Sequence, residues 1–271
     1  MQMKKILFVL LMAFLFVSCS KNEELSLTPS DTGTVTDCQG NSYNTVKIGN
    51  QWWMAENLRC TMYDTESERP GIAIPVTTRP SSQSTTNYGP YYVDVSDSIT
   101  PYSGNLTSEQ RSKLGLLYTW AAVVGESSQS NAQNRTTDYP GVRQGICPNG
   151  WHVPTDDEWT VLINNLGGNK SAGTAMKTSD GWYKDKGYVA GVNNSEFSVL
   201  PGGSDTGTYV SAGGSTVNLP SVYGIGFDAN FWSASANAWY RGFTCNSSEV
   251  KHFPLAKFNY LSVRCVKNSE E

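Results

Sequence analysis

The chain has 271 residues, a net charge of −4 and 16% charged residues. It contains no Lys/Arg-rich run, so it lacks the electrostatic footprint of a nucleic-acid-binding protein and no nucleic acid is expected as a partner. With 25 glycines, many Ser, Thr and Asn residues and few long helical patterns, it suits a loop-rich extracytoplasmic domain, with or without insertions.

At the N-terminus Lys4 and Lys5 precede an apolar run from Ile6 to Val17, which Ser18 and Cys19 follow. A hydrocarbon core needs roughly 20 apolar residues, so this run is too short to cross one and residues 1–18 read as a secretion signal. The segment Leu15-Phe-Val-Ser-Cys19 resembles the lipobox of bacterial lipoproteins. That resemblance implies cleavage before Cys19 and acylation of Cys19, with palmitate among the chains. The membrane anchor would strengthen by about 0.8 kcal/mol per buried methylene. Residues 19–34 are polar apart from two leucines and read as a flexible tether. Glu23 and Glu24 behind the cysteine resemble the surface-export signals of some Gram-negative lipoproteins, which implies an outer-membrane protein facing the cell exterior.

Residues 35–268 are expected to form the domain. Ser42 to Ile48 alternates, Gly49 and Asn50 supply a turn, and Gln51 to Leu58 runs back, which reads as a β-hairpin with Val46 opposite Trp53. Counting outward brings Cys38 beside Cys60 and Thr61. One bulge would set Cys38 against Cys60, so a bridge between them is expected. Six cysteines less Cys19 leaves five, which in an oxidising compartment suggests two bridges and one odd thiol. No CxxC pair occurs and the two histidines lie far apart, so no metal is expected.

A long insertion over residues 61–113 follows, its first half reading as loop. Thr107-Ser-Glu-Gln110 forms a capping-box pattern that opens a short helix, with Gly115 closing it. Residues 115–122 lead into the first main helix, with Tyr118 and Trp120 helping to fill the core.

The stretch Cys147-Pro-Asn-Gly-Trp-His-Val-Pro-Thr-Asp-Asp-Glu-Trp159 carries a cysteine, a histidine and three adjacent acids. Trp151, His152 and Val153 read as a short strand that Pro154 stops. Thr155 is an N-cap, and Glu158 completes a capping box three residues on. Asp156, Asp157 and Glu158 fall in the first helical turn, where the helix dipole favours negative charge. Trp159, Leu162, Ile163 and Leu166 then form one buried face, and Gly167 with Gly168 ends the helix in a left-handed C-cap. Every acid therefore has a structural job, and His152 reads as packed and hydrogen-bonded. No catalytic residue and no cofactor is expected here; general acid/base catalysis would need a shaped site that the pattern does not supply.

Two variable segments, residues 61–113 and 205–230, are where a binding surface is expected. Tyr88, Tyr91, Tyr92, Trp182, Tyr183 and Tyr209 are the candidate contacts, because aromatic rings stack on sugar faces and anchor interfaces.

The stretch from Cys147 to Trp159 closely resembles the hallmark segment of the Fibrobacter succinogenes major paralogous domain. Landmarks on both sides follow the family's order: Asp37 to Arg59, Leu117-Tyr-Thr-Trp-Ala-Ala122, Phe197-Ser-Val-Leu-Pro-Gly-Gly203, Phe231-Trp-Ser233, Ala238-Trp-Tyr-Arg241 and Ser262-Val-Arg-Cys-Val266. The resemblance implies a disulfide between Cys147 and Cys265, leaves Cys245 free, and places Phe231, Trp232, Trp239 and Tyr240 in the core. A fainter similarity to C-type-lectin-like domains implies an α+β fold with short helices and a twisted antiparallel sheet, loop-rich and disulfide-braced. The calcium-and-sugar signature of many lectins and the paired catalytic cysteines of the related oxidising enzymes are both missing. The expected function is non-catalytic recognition of an extracellular glycan or protein; the alternative is an accessory subunit of a surface assembly.

Overall fold

The computed structural model describes residues 31–76, 90–95, 106–126, 142–184, 186–205, 210–212, 215–217, 222–235 and 237–269. In chain order its elements are β1 (Thr32–Thr36), β2 (Ser42–Ile48), β3 (Gln51–Met54), β4 (Tyr92–Asp94), α1 (Ser108–Ser112), β5 (Leu116–Thr119), α2 (Trp120–Val124), β6 (Trp151–His152), α3 (Asp156–Asn165), α4 (Ala172–Met176), β7 (Gly202–Asp205), β8 (Val210–Ala212), β9 (Ser215–Val217), β10 (Val222–Ile225), β11 (Asp228–Trp232), β12 (Trp239–Thr244), β13 (Lys251–Pro254), β14 (Tyr260–Leu261) and β15 (Val266–Lys267). Short helices attach to mostly antiparallel sheets, so the fold class is α+β.

A five-stranded sheet runs β1-β2-β3-β15-β6. The hairpin is as the alternation requires, with Val46 opposite Trp53. The last strand enters between the hairpin and the hallmark segment, placing Val266 against both Trp53 and His152. Beside this junction Cys147 and Cys265 are disulfide-bonded across a separation of 118 residues, as the family resemblance implied.

A larger, eight-stranded sheet runs β13-β12-β11-β7-β14-β5-β4, with β10 also pairing β7. Side chains alternate across a strand. On β11 this sends Phe231 into a cluster with Trp53, Trp159, Trp182 and Phe197, and sends Trp232 into a second cluster with Trp120, Trp151 and Tyr118. The buried indoles keep their donors satisfied. Trp159 donates to the Trp232 carbonyl at 3.3 Å, Trp232 to Tyr118 at 2.8 Å, and Trp120 to Ser233 at 3.0 Å. These bonds tie α3, β11, β5 and α2 into one block.

The structure departs from sequence expectation at four places. Residues 32–34, read as tether, belong to β1, because Thr32 to Thr34 pair with Val46 to Asn44 and complete the sheet edge. Cys38 and Cys60 do lie side by side, but their sulfurs are unbonded at 3.9 Å. The two thiols share a hydrogen bond, and both also lie near the Met62 carbonyl, at 3.6 and 3.0 Å. The segment 205–230 holds β8, β9 and β10 and the start of β11; β10 pairs with a strand distant in sequence, which leaves no local period. Finally, Trp239 and Tyr240 are half-buried, since β12 is covered on its outer side only by the edge strand β13.

Candidate functional site

The hallmark stretch is scaffold. Thr155 accepts from the Glu158 amide at 3.2 Å, and the Glu158 carboxylate accepts from the Thr155 amide at 2.8 Å, closing the capping box. His152 lies between Asn268 at 2.7 Å and Glu158 at 2.8 Å. Burial pulls the Glu158 carboxyl upward, but bonding to His152 and Thr155 outweighs it and holds the group below the ordinary value. Asp156 is bound by Arg241 at 2.8 Å and His252 at 2.9 Å. Asp156 thus holds α3 on β12 and β13, and Glu158 ties its first turn to His152 of β6. Among the described residues no three His, Cys, Asp or Glu side chains gather as metal ligands.

The six aromatic candidates do not converge. Cys19, Tyr88 and Tyr209 lie outside the described residues. Tyr91 and Tyr92 are half-buried on and beside the edge strand β4, where Tyr92 packs against Tyr118 with ring centroids 6.4 Å apart. Trp182 is fully buried and offers no face to a ligand. Its indole donates to Thr178 at 3.1 Å, and the Lys177 ammonium stands 5.2 Å from the ring. An apolar surface of that size is worth more in the core than in water, and this overrode the surface reading. Tyr183 is half-buried and its amide donates to the Gly226 carbonyl at 2.7 Å.

What does converge is a cleft of about 940 Å³ whose lining mixes polar groups with Val46, Ala55 and Leu200. Strands β1 and β2 contribute Thr32, Thr34, Asn44 and Thr45, and Glu56 follows from the end of the hairpin. Helix α1 contributes Glu109, Gln110 and Lys113, with its N-cap Thr107. The loop at 193–198 contributes Asn193, Glu196 and Ser198.

That loop is strained. Asn193, Glu196 and Ser198 have φ of 49°, 54° and 57°, the left-handed region that costs non-glycine residues roughly 1–2 kcal/mol each. Its neighbours hold it there. Asn193 accepts the Ser198 amide at 2.8 Å and donates to the Ser198 hydroxyl at 3.0 Å. Between them the Phe197 ring is sunk fully into the tryptophan cluster.

Arg264 supplies the grip from below. It is almost completely buried, donates to the Phe197 and Ser198 carbonyls, and donates through Nε to Asn57 at 3.0 Å. Its guanidinium stands 4.4 Å from the Phe197 ring and 5.3 Å from Phe231. Burial pushes its pKa down to about 9 and Glu56 opposes this, so it remains a cation at neutral pH. A planar fork with several donors can hold two adjacent carbonyls where a lysine point charge could not.

The sequence signals for this site were an Arg in the last landmark and a polar run of Asn193, Asn194, Ser195 and Glu196. Neither was read as a site, since strain and convergence do not register in a linear pattern.

Residues 46–267 match the family model described as Fibrobacter succinogenes major domain. No curated protein and no solved structure matches the chain.

Proposed function

The chain belongs to the Fibrobacter succinogenes major domain family, and from that footing we propose that it is a recognition protein binding an extracellular glycan in the cleft. In this proposal Cys19 carries the acyl chains and anchors the protein in the outer membrane with the domain facing outward. The scaffold is of C-type-lectin-like type, used for binding rather than for turnover.

The observation that carries the reading is the strained loop at 193–198, pinned by Arg264 at the wall of the cleft. Left-handed non-glycine residues persist only where surrounding structure enforces them, and they cluster at ligand clamps. The cleft's size lies in the range of small-molecule sites. Its lining of hydroxyl, amide and carboxylate groups matches the alternating donors and acceptors of a sugar. Glu109 pairs with Lys113 at 3.0 Å, and Glu56 accepts from Asn44 at 3.0 Å, so both carboxylates stand at the cleft as acceptors. A subunit that packs flat on its neighbours would need a flat apolar edge, whereas this surface is concave.

The test is a glycan-array screen of the purified full-length protein, with and without calcium. Reproducible binding that Glu196→Ala weakens at least tenfold is the expected result. Glu196 is exposed, so the substitution leaves the core untouched. Silence across the array under both conditions would overturn the glycan reading.

A further inference from the structure

Cys38 and Cys60 form a second pair of sulfurs, apart from both the cleft and the Cys147–Cys265 bridge. Cys38 sits on the turn between β1 and β2. Asp37 fixes that turn: its carboxylate accepts the Gln39 and Asn41 amides at 2.9 and 3.0 Å, and its own amide donates to the Asn41 carbonyl at 3.0 Å. Cys60 follows the first hairpin and is sunk in a core cluster, where its carbonyl accepts the Tyr118 hydroxyl at 2.8 Å. Gln39 clasps the two segments together. Its side-chain oxygen accepts the Thr61 amide at 2.7 Å, and its side-chain nitrogen donates to the Thr61 hydroxyl at 2.9 Å.

This clasp leaves two thiols in contact, their sulfurs 3.9 Å apart, one exposed and one buried. Of the free cysteines among the described residues Cys38 alone is exposed, whereas both cysteines of the closed bridge are fully buried. An accessible thiol beside a shielded one is the arrangement of redox-sensing cysteines, in which the first meets the reagent and the second resolves the adduct.

We propose that Cys38 is a site of reversible thiol modification and that Cys60 is its resolving partner, so that the pair cycles between dithiol and disulfide. The co-reactant is a low-molecular-weight disulfide of the oxidised-glutathione type. The Cys38 thiolate attacks one of its sulfurs; a new S–S bond forms, the old one breaks, and one small thiolate leaves with the electron pair. Cys60, giving its proton to solvent, then attacks Cys38 Sγ and expels the second small thiol. Two protein thiols are oxidised to one disulfide, and the small disulfide is reduced to two thiols. Closing the sulfurs to a bond of about 2 Å requires rotation of the Cys38 side chain, which solvent surrounds. Burial and the charges of Asp64 and Asp37 hold the Cys38 thiol above its ordinary pKa, against the hydrogen bond with Cys60, so exchange speeds up as the pH rises. The proposal stands apart from the glycan reading.

The experiment incubates the full-length protein with oxidised glutathione at mildly alkaline pH, traps remaining thiols by alkylation under denaturing conditions, and reads each cysteine by peptide mass spectrometry. In the wild type Cys38 and Cys60 are expected to lose alkylation together and to carry no glutathione, and dithiothreitol is expected to restore both in the folded protein. Cys60→Ser is expected to retain one glutathione on Cys38, and Cys38→Ser to leave Cys60 fully alkylated. Glutathione retained on wild-type Cys38 would overturn the proposal, because Cys60 then fails to reach the adduct. Unchanged alkylation of both cysteines would overturn it as well, and so would a pair already closed and resistant to dithiothreitol in the folded protein. These wild-type readings decide the matter whether or not Cys60→Ser folds.

Discussion

At position 228 a carboxylate is held half-buried with one lysine as counter-charge, and its pKa rises from 3.8 to about 6. The folded state therefore binds the proton more tightly than the unfolded chain does. The stability this confers is fully present below about pH 4 and is lost as the pH rises through about 6. Replacing Asp228 by Asn removes that loss. The variant should melt at the wild-type temperature near pH 3.5 and above it at pH 7.5; an equal offset at both pH values in calorimetry would contradict the assignment. Lys177 shows how a buried charge is handled without a carboxylate. Its ammonium donates to the carbonyls of Val189, Thr244 and Ser247 at 2.9, 2.9 and 2.8 Å, tying together backbone on both sides of Cys245. Arg264 does the same for the loop at 193–198. In both cases one long cation satisfies several backbone carbonyls at once.

Among the elements, α3 is the most completely specified. Its start is closed by the Thr155 and Glu158 box, its middle buries Trp159, Leu162 and Ile163, and its end is a Schellman motif. Gly168 donates to the Ile163 carbonyl at 2.9 Å and Gly167 to Asn164 at 3.2 Å, with φ of 83° and 96° that other residues adopt only under strain. Thr155→Ala should destabilise the protein by about 1–2 kcal/mol in urea unfolding, the usual cost of a lost N-cap. No measurable change would mean that tertiary packing alone holds the helix. The same local chemistry made α1 legible in advance, since Thr107 and Gln110 form the capping box their spacing suggests. Strands β10 and β14 were not legible, because β10 pairs with β7 and β14 with β5 and β7, across intervening segments rather than with a neighbour in the chain.

For the whole molecule the decisive link is the Cys147–Cys265 bridge. It joins the loop before the hallmark strand to the final strand across 118 residues. Loop-closure entropy makes a bridge of this span worth roughly 2–5 kcal/mol, mainly by restricting the unfolded chain. A Cys147→Ser/Cys265→Ser double variant should lose stability in that range by denaturant titration. A loss under about 1 kcal/mol would show that β15 is held by its pairing to β3 and β6 instead. The bridge also matters to the cleft, since Arg264 immediately precedes Cys265 and reaches its carbonyls only when that strand is seated.

What the sequence determined by itself was local or carried by the family's landmarks: the first hairpin and its register, both capping boxes, the buried face of α3 and the Cys147–Cys265 pairing. Capping, turn chemistry and side-chain period act over a few residues, so they are written in the chain. Tertiary structure alone decided the remainder. It withdrew Trp182 into the core, seated Thr32 to Thr34 on the sheet edge and left Cys38 and Cys60 as neighbouring thiols. It also brought α1, the hairpin, the 193–198 loop and Arg264 to one cleft. Those outcomes depend on which distant segments compete for the same buried volume, a comparison that no local pattern contains.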